Sequence, residues 1–215
     1  VDQKKDKTLV TEADQKIELL IRDLAKKSHP ELAILGEEYG QCDRSEPLNL
    51  IIDPIDGTQN FVRRIPLFGS LLAIEKDGEI IAGHVSCPIT QEKWWAEKGA
   101  GAWYKNPFID NFPLKVSNIN TLAESQGLYG SLFGQEARGN DIEKMINLLS
   151  KTYRQRGLGD FYPHMLVANG SGEFAVDFNL NPWDIAPIKV IVEEAGGKVS
   201  NALGENTSYS STVLS

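Results

Sequence analysis

The chain opens with a lysine-rich stretch, residues 1–8, whose composition predicts a mobile segment. Thr11 followed by Asp14 then has the form of a helix cap with an acidic first turn. Ile17, Leu20, Ile21 and Leu24 recur at helical spacing, so residues 12–27 are expected to form an amphipathic helix that Pro30 ends. Leu32–Leu35 and Leu48–Ile52 are short apolar runs that read as buried strands, running into Glu37 and Asp53. Gly69–Glu75 and Glu79–Ser86 flank Asp77-Gly78, a hairpin signal. Lys93–Glu97 and Ala102–Tyr104 flank a glycine-rich turn and predict another hairpin. Residues 106–113 hold two prolines and two asparagines and read as a connection between an N-terminal part, 1–113, and a C-terminal part, 114–215.

Beyond that point Ile142, Met145, Ile146 and Leu149 mark a helix, Phe161–Ala168 another, and Phe174–Phe178 a strand. Ile185, Ile188, Ile191, Val192 and Ala195 define a helix that opens near Trp183-Asp184 and closes at Gly196-Gly197. Lys198–Ser200 reads as the start of a strand.

Hydrophobic residues are 41% and charged residues 24%, the balance of a globular protein rather than a disordered one. A net charge of −8 argues against broad binding to nucleic acid or anionic membranes, which needs a basic surface. No apolar run reaches membrane-spanning length, and the polar opening shows no signal peptide, so the expected location is the cytoplasm. Cys42 and Cys87 have no metal-like spacing; two reduced thiols are expected over one disulfide. The lack of an initiator Met and the ending Ser-Ser-Thr-Val-Leu-Ser lead us to expect trimmed ends.

The most informative stretch is Asp53-Pro-Ile-Asp-Gly-Thr-Gln-Asn-Phe61. Pro54 fixes a dihedral between two aspartates, and Gly57 permits a tight turn. This favours two converging carboxylates, with the following N–H groups facing an anion. Hard oxygen ligands without nearby His or Cys suit Mg²⁺. The competing reading is a surface turn rich in Asp for its turn propensity. Glu37, after Gly36, and Asp184, after Trp183, each read singly as a cap or a solvated charge.

Taken together, Gly36-Glu37-Glu38, Asp53-Pro-Ile-Asp-Gly-Thr58 and Trp183-Asp184-Ile-Ala resemble, in order, the three signatures of the inositol monophosphatase family. Thr11-Glu-Ala-Asp14 and Glu194-Ala-Gly-Gly197 match it as well. The resemblance implies an α+β fold, a layered α/β/α/β/α sandwich with an antiparallel N-terminal sheet and a mixed C-terminal sheet. It implies Mg²⁺-dependent phosphomonoesterase activity with two or three ions, and a homodimer. By position, Glu37, Asp53, Asp56, the Ile55 carbonyl and Asp184 would hold metal. Gly57 and Thr58 would bind phosphate. Asp14 and Thr58 would activate the attacking water with Glu37, and Asp177 and Asp184 would contact the alcohol portion.

Lys93-Trp94-Trp95 through Trp103, Arg156-Gly-Leu-Gly-Asp160-Phe161 and Asn181-Pro182 resemble the histidinol-phosphate phosphatase branch. Histidinol phosphate carries a cation that Asp160 and Asp177 would suit. Asp160 reads equally as a helix cap. The alternatives are an inositol or sugar-phosphate phosphatase, and a catalytically silent protein that binds metal or phosphate. Trp94 and Trp95 read as one core residue and one partly exposed. His164 reads as a packed histidine and Arg63-Arg64 as a solvated pair.

Overall fold

The computed structural model describes residues 2–3, 9–42, 47–130, 139–178, 180–206 and 212–215. Around the lysine-rich opening, two short strands, β1 (Asp2–Gln3) and β2 (Leu9–Val10), pair antiparallel. The expectation of mobility for the intervening residues lies outside the described residues.

Helix α1 (Glu12–Ser28) begins at a capping box. Thr11 Oγ1 accepts from the Ala13 N–H, and the Asp14 carboxylate accepts from the Thr11 N–H at 2.8 Å. The periodicity places the helix well but identifies only half of its inner face. Ile21 and Ala25 pack on Ile34, Leu50 and Ile52, whereas Leu20 and Leu24 are 58% and 55% exposed. The buried positions are Asp14, Glu18 and Arg22, a polar stripe at i, i+4 and i+8. Their burial is tolerated because each meets a partner.

An eight-stranded sheet follows. Its strands are β3 (Ala33–Gly36), β4 (Gly40–Cys42), β5 (Leu48–Asp56), β6 (Gly69–Lys76), β7 (Glu79–Cys87), β8 (Glu92–Glu97), β9 (Gly101–Asn106) and β10 (Ile109–Pro113). Their order is β10-β9-β8-β7-β6-β5-β3-β4. All neighbours are antiparallel except β3 and β5, which run parallel with Gly36 opposite Ile52. That one parallel pair sets the C-terminal ends of β3 and β5 side by side, so Glu37 emerges next to Asp53. Residues 106–113 are therefore a hairpin and an edge strand rather than a connection. Asn106 Oδ1 accepts from Phe108 and Ile109 to close the turn, and Pro113 ends a strand on the sheet edge, where a missing donor costs little. Leu114 still donates to the Ala102 carbonyl of β9 at 2.8 Å, and Val116 then donates to the Ala195 carbonyl at 3.0 Å.

The second sheet is mixed, as the resemblance implies. Its strands are β11 (Gln126–Tyr129), β12 (Arg154–Gly157), β13 (Phe174–Phe178) and β14 (Thr212–Leu214), in the order β12-β11-β13-β14. β11 is parallel to β12 and β13, and β14 is antiparallel. Lys198–Ser200 forms no strand; Ser200 alone bridges Leu214.

The layers stack as α/β/α/β/α. α1 covers the first sheet. Helices α4 (Tyr162–Ala168) and α5 (Pro182–Glu194) lie between the sheets, and α3 (Gly139–Leu149) covers the far side of the second through Met145 and Leu149 against Phe174 and Val176. α5 carries apolar residues on all sides, as a helix enclosed by two sheets must. Ile185, Ile188 and Ile191 share one core with Leu71, Val85 and Trp94 of the first sheet and Leu128 and Ala175 of the second. Gly83 permits this approach: a Cβ there would stand 2.6 Å from Val190 Cγ1. Trp94 is core and Trp95 half-buried, as their alternation requires. Cys87 is a buried free thiol; the Cys42 side chain lies outside the described residues. Among the described residues no helix is long and apolar enough to cross a membrane.

Candidate active site

Asp53 and Asp56 both belong to β5, which runs further than its apolar part suggests. In a regular strand, residues three apart point to opposite faces. The ladder to β6 breaks here: Asp53 pairs with Leu71, and pairing resumes only at Asp56 with Gly69. Ser70 Oγ fills the gap by donating to the Pro54 carbonyl at 2.6 Å. The irregularity turns the strand enough for both carboxylates to serve one centre.

Asp184 enters from α5. It is the third residue of the helix and closes a capping box, accepting from the Asn181 N–H at 2.7 Å. Its cap reading is thus correct, and it has a further place: oxygens of Asp53, Asp56 and Asp184 lie within 4.8 Å of one another, a group that could hold a metal ion. The surface-turn reading of the Asp-rich stretch fails on burial, since Asp53 is 2% exposed.

The electrostatics follow from this crowding. Burial above all, then the charges of Glu37, Asp56 and Asp184, hold the Asp53 carboxyl well above the usual range. Burial, then Asp160 and Asp184, does the same to Asp56, against one N–H bond from Phe161 at 2.6 Å. Burial pushes Asp184 up to about 6, partly offset by the Asn181 bonds. Asp53 Oδ1 is buried without any hydrogen-bond partner. An unpartnered buried carboxylate oxygen among like charges needs a proton or a cation to balance it. The all-oxygen donor set suits a hard divalent ion.

Glu37 is half-buried in the turn after β3, and its N–H donates to the Ile52 carbonyl at 3.1 Å. It is not one of the three carboxylates within 4.8 Å of one another, and its charge raises both Asp53 and Asp184. Gly57 follows with φ +82°, a left-handed conformation, and starts the short helix α2 (Thr58–Arg63). The first N–H groups of a helix lack intrahelical acceptors. Thr58 Oγ1 lies 3.1 Å from the Ile55 carbonyl and 3.4 Å from Asp14 Oδ1. The other Asp14 oxygen accepts from Thr11.

Asp160 arrives from the loop before α4, with φ +61°. It does not cap α4, which has Phe161 at its N-cap and no side-chain cap bond. Its Oδ2 instead accepts from Asn60 Nδ2 at 2.7 Å and lies where a Cβ on Gly57 would be 2.9 Å away. Burial pushes Asp160 up to about 6. Asp177 sits farther off on β13, 6% exposed, accepting from the Phe178 N–H at 2.8 Å and packed against Gly130. Its charge acts on Asp56 more weakly than those of Asp160 and Asp184.

Two further groups complete the surroundings of the carboxylates. Asn60 stands in the Asp-rich string and bridges Asp160 and the Leu67 carbonyl. The Phe161 N–H is a backbone group and has no sequence signal. His164 is packed, with Nδ1 2.8 Å from Ser215 Oγ.

The layered sandwich with a carboxylate cluster between its sheets defines a metal-dependent phosphoric monoester hydrolase. The chain belongs to the inositol monophosphatase family, whose family model matches residues 1–214. A histidinol-phosphatase of Mycobacterium tuberculosis is 37% identical over 204 residues, covering 95% of this chain and 78% of that one. A fructose-1,6-bisphosphatase/inositol-1-monophosphatase of Thermotoga maritima is 38% identical over 200 residues, covering 93% and 73%. In structure, extragenic suppressor protein SuhB from Bartonella henselae superposes with a TM-score of 0.87 at 29% identity, covering 95% of this chain and 78% of that one. A Thermotoga maritima IMPase superposes with a TM-score of 0.85 at 35% identity, covering 99% and 80%.

Proposed function

We propose that the protein hydrolyses L-histidinol phosphate, using Mg²⁺ held by Glu37, Asp53, the Ile55 carbonyl, Asp56 and Asp184. One observation carries the metal part: three carboxylates from two distant segments converge within 4.8 Å, and one buried oxygen among them has no partner. Two or three ions fit the resemblance. Bound there, such ions supply Lewis acidity, lowering the pKa of a water and neutralising charge on phosphate and leaving group.

The chain's own groups do the rest. The N–H groups of Gly57 and Thr58 bind the phosphate. Asp14 and Thr58, with Glu37, orient the attacking water and take its proton through the Thr58 hydroxyl. The water oxygen bonds to phosphorus, the ester P–O bond breaks with its electron pair on the leaving oxygen, and that oxygen takes a proton from solvent water. Phosphoryl transfer asks mainly for such positioning and charge neutralisation.

The substrate rests on two supports. Relatives at 37% identity from three organisms are named histidinol-phosphatases. Asp160 puts an extra carboxylate against Gly57, with Asp177 and Asp184 as further partners for an ammonium or imidazolium. A second reading, an inositol or sugar-phosphate phosphatase, is favoured by the 38% identity to the Thermotoga relative. A catalytically silent role is opposed by the intact set Asp14, Glu37, Asp53, Asp56, Thr58 and Asp184. We further read the protein as a cytoplasmic homodimer; sedimentation at working concentration tests the dimer. Phosphate release from histidinol phosphate against inositol 1-phosphate tests the substrate: a higher kcat/KM for the first is expected, and the reverse order transfers the assignment.

A further inference from the structure

We propose that Glu18 and Arg22 are positioning residues that hold Glu37 at the metal centre; this rests on the assignment of Glu37 as a metal ligand. Glu18 is fully buried on α1. Its Oε2 accepts from the Glu38 N–H at 2.7 Å, and its Oε1 accepts from the Tyr39 N–H at 3.3 Å and from Arg22 Nε at 2.7 Å. Arg22 in turn donates to the Gly40 carbonyl at 2.5 Å. One buried ion pair thus grips the backbone at 38, 39 and 40, immediately after Glu37.

The other side of Glu37 is equally fixed. Its N–H bonds to Ile52, the residue before Asp53. Gly36 leaves room for the grip: a Cβ there would lie 2.0 Å from Glu18 Oε1. The glycine of Gly36-Glu37-Glu38 is therefore required by a carboxylate on another element. The turn carrying Glu37 is suspended between β5 and α1, and Asp14, one helical turn before Glu18, reaches Thr58 from the same helix face. A buried ion pair is weak evidence for stability in itself. Its value here lies in orientation, as outer partners orient metal ligands elsewhere.

The test uses Mn²⁺ alone as probe, with free ion followed by electron paramagnetic resonance, beside Mg²⁺-dependent kinetics and melting. Glu18→Gln keeps the shape but loses the charge. It is expected to weaken Mn²⁺ binding about tenfold and to lower kcat with little change in KM. Arg22→Lys retains charge without the fork and is expected to fall between wild type and Glu18→Gln. Ile21→Ala, on the same helix in the apolar layer, is expected to lower the melting temperature while leaving Mn²⁺ binding unchanged. Should Glu18→Gln fail to fold, Gly36→Ala, which displaces the Glu18 carboxylate, carries the same expectation. Unchanged Mn²⁺ affinity in folded Glu18→Gln or Gly36→Ala overturns the inference and leaves the phosphatase reading standing. An equal loss in Ile21→Ala overturns it also. If the wild type binds Mn²⁺ and the variant weakens it, yet no ester is hydrolysed, the phosphatase reading falls and the positioning role stands.

Discussion

The Thr58 hydroxyl lies 3.4 Å from Asp14 Oδ1, joining the first turn of α1 to the turn that follows the Asp-rich strand. Neither residue is among the proposed metal ligands, so variants of this pair test proton removal apart from metal binding.

Asp14→Asn and Thr58→Ala are each expected to lower kcat by about 10²–10⁴, the usual range for loss of a general base. Mg²⁺ half-saturation should stay within a factor of about three. Steady-state kinetics across a Mg²⁺ series checks both; a pure Mg²⁺ effect would move Asp14 from the proton path to the metal site.

Gly57→Ala meets two obstacles. Its φ of +82° is unfavourable for an L side chain, and its Cβ would lie 2.9 Å from Asp160 Oδ2. Left-handed backbone costs about 1–2 kcal/mol for a non-glycine residue. Activity is expected to drop at least tenfold while the protein remains folded, as measured by phosphate release and circular dichroism.

Asp160→Ala addresses substrate choice. A charge-assisted hydrogen bond contributes roughly 1.5–3 kcal/mol, so kcat/KM for histidinol phosphate is expected to fall about 10–100-fold. The value for inositol 1-phosphate should fall far less. Equal losses for both esters would make Asp160 a support for Gly57 and Asn60 rather than a substrate partner.

His164 predicts a pH effect on stability. Burial lowers its pKa from 6.5 to about 4. The unfolded chain takes up a proton below 6.5, and the folded one does so only near 4. Stability from this group is therefore complete above 6.5 and lost as pH falls toward 4. By pH 5 the loss is on the order of 2 kcal/mol. Urea denaturation at pH 7.5 and pH 5 should show a smaller decline in His164→Gln than in the wild type.

Much of this architecture is written in local pattern. Leu48–Ile52, the Asp77-Gly78 turn and the α5 periodicity each lead to the observed element because burial and turn chemistry agree there. Arg154–Gly157 escapes such reading: Arg-Gln-Arg-Gly at a sheet edge has no apolar alternation. On α1 the missed feature is the reverse, since Asp14, Glu18 and Arg22 are buried by pairing rather than by hydrophobicity. Within the candidate site the carboxylates were visible as a motif, but their convergence depends on the β3–β5 parallel pair and the break between Asp53 and Asp56. Neither has a composition signature. Asp160 reads equally as a cap and as a substrate contact in sequence; α4 has no side-chain cap bond, and Asp160 accepts from Asn60 instead.

The most direct test of the metal account is phosphate release from histidinol phosphate by wild type and Asp53→Asn, each in EDTA and then in saturating Mg²⁺. The account predicts no turnover in EDTA, restoration by Mg²⁺ in the wild type, and a loss of at least about 10³ in the variant at any Mg²⁺ level. Hydrolysis that persists in EDTA, or near-normal turnover by Asp53→Asn, would contradict it.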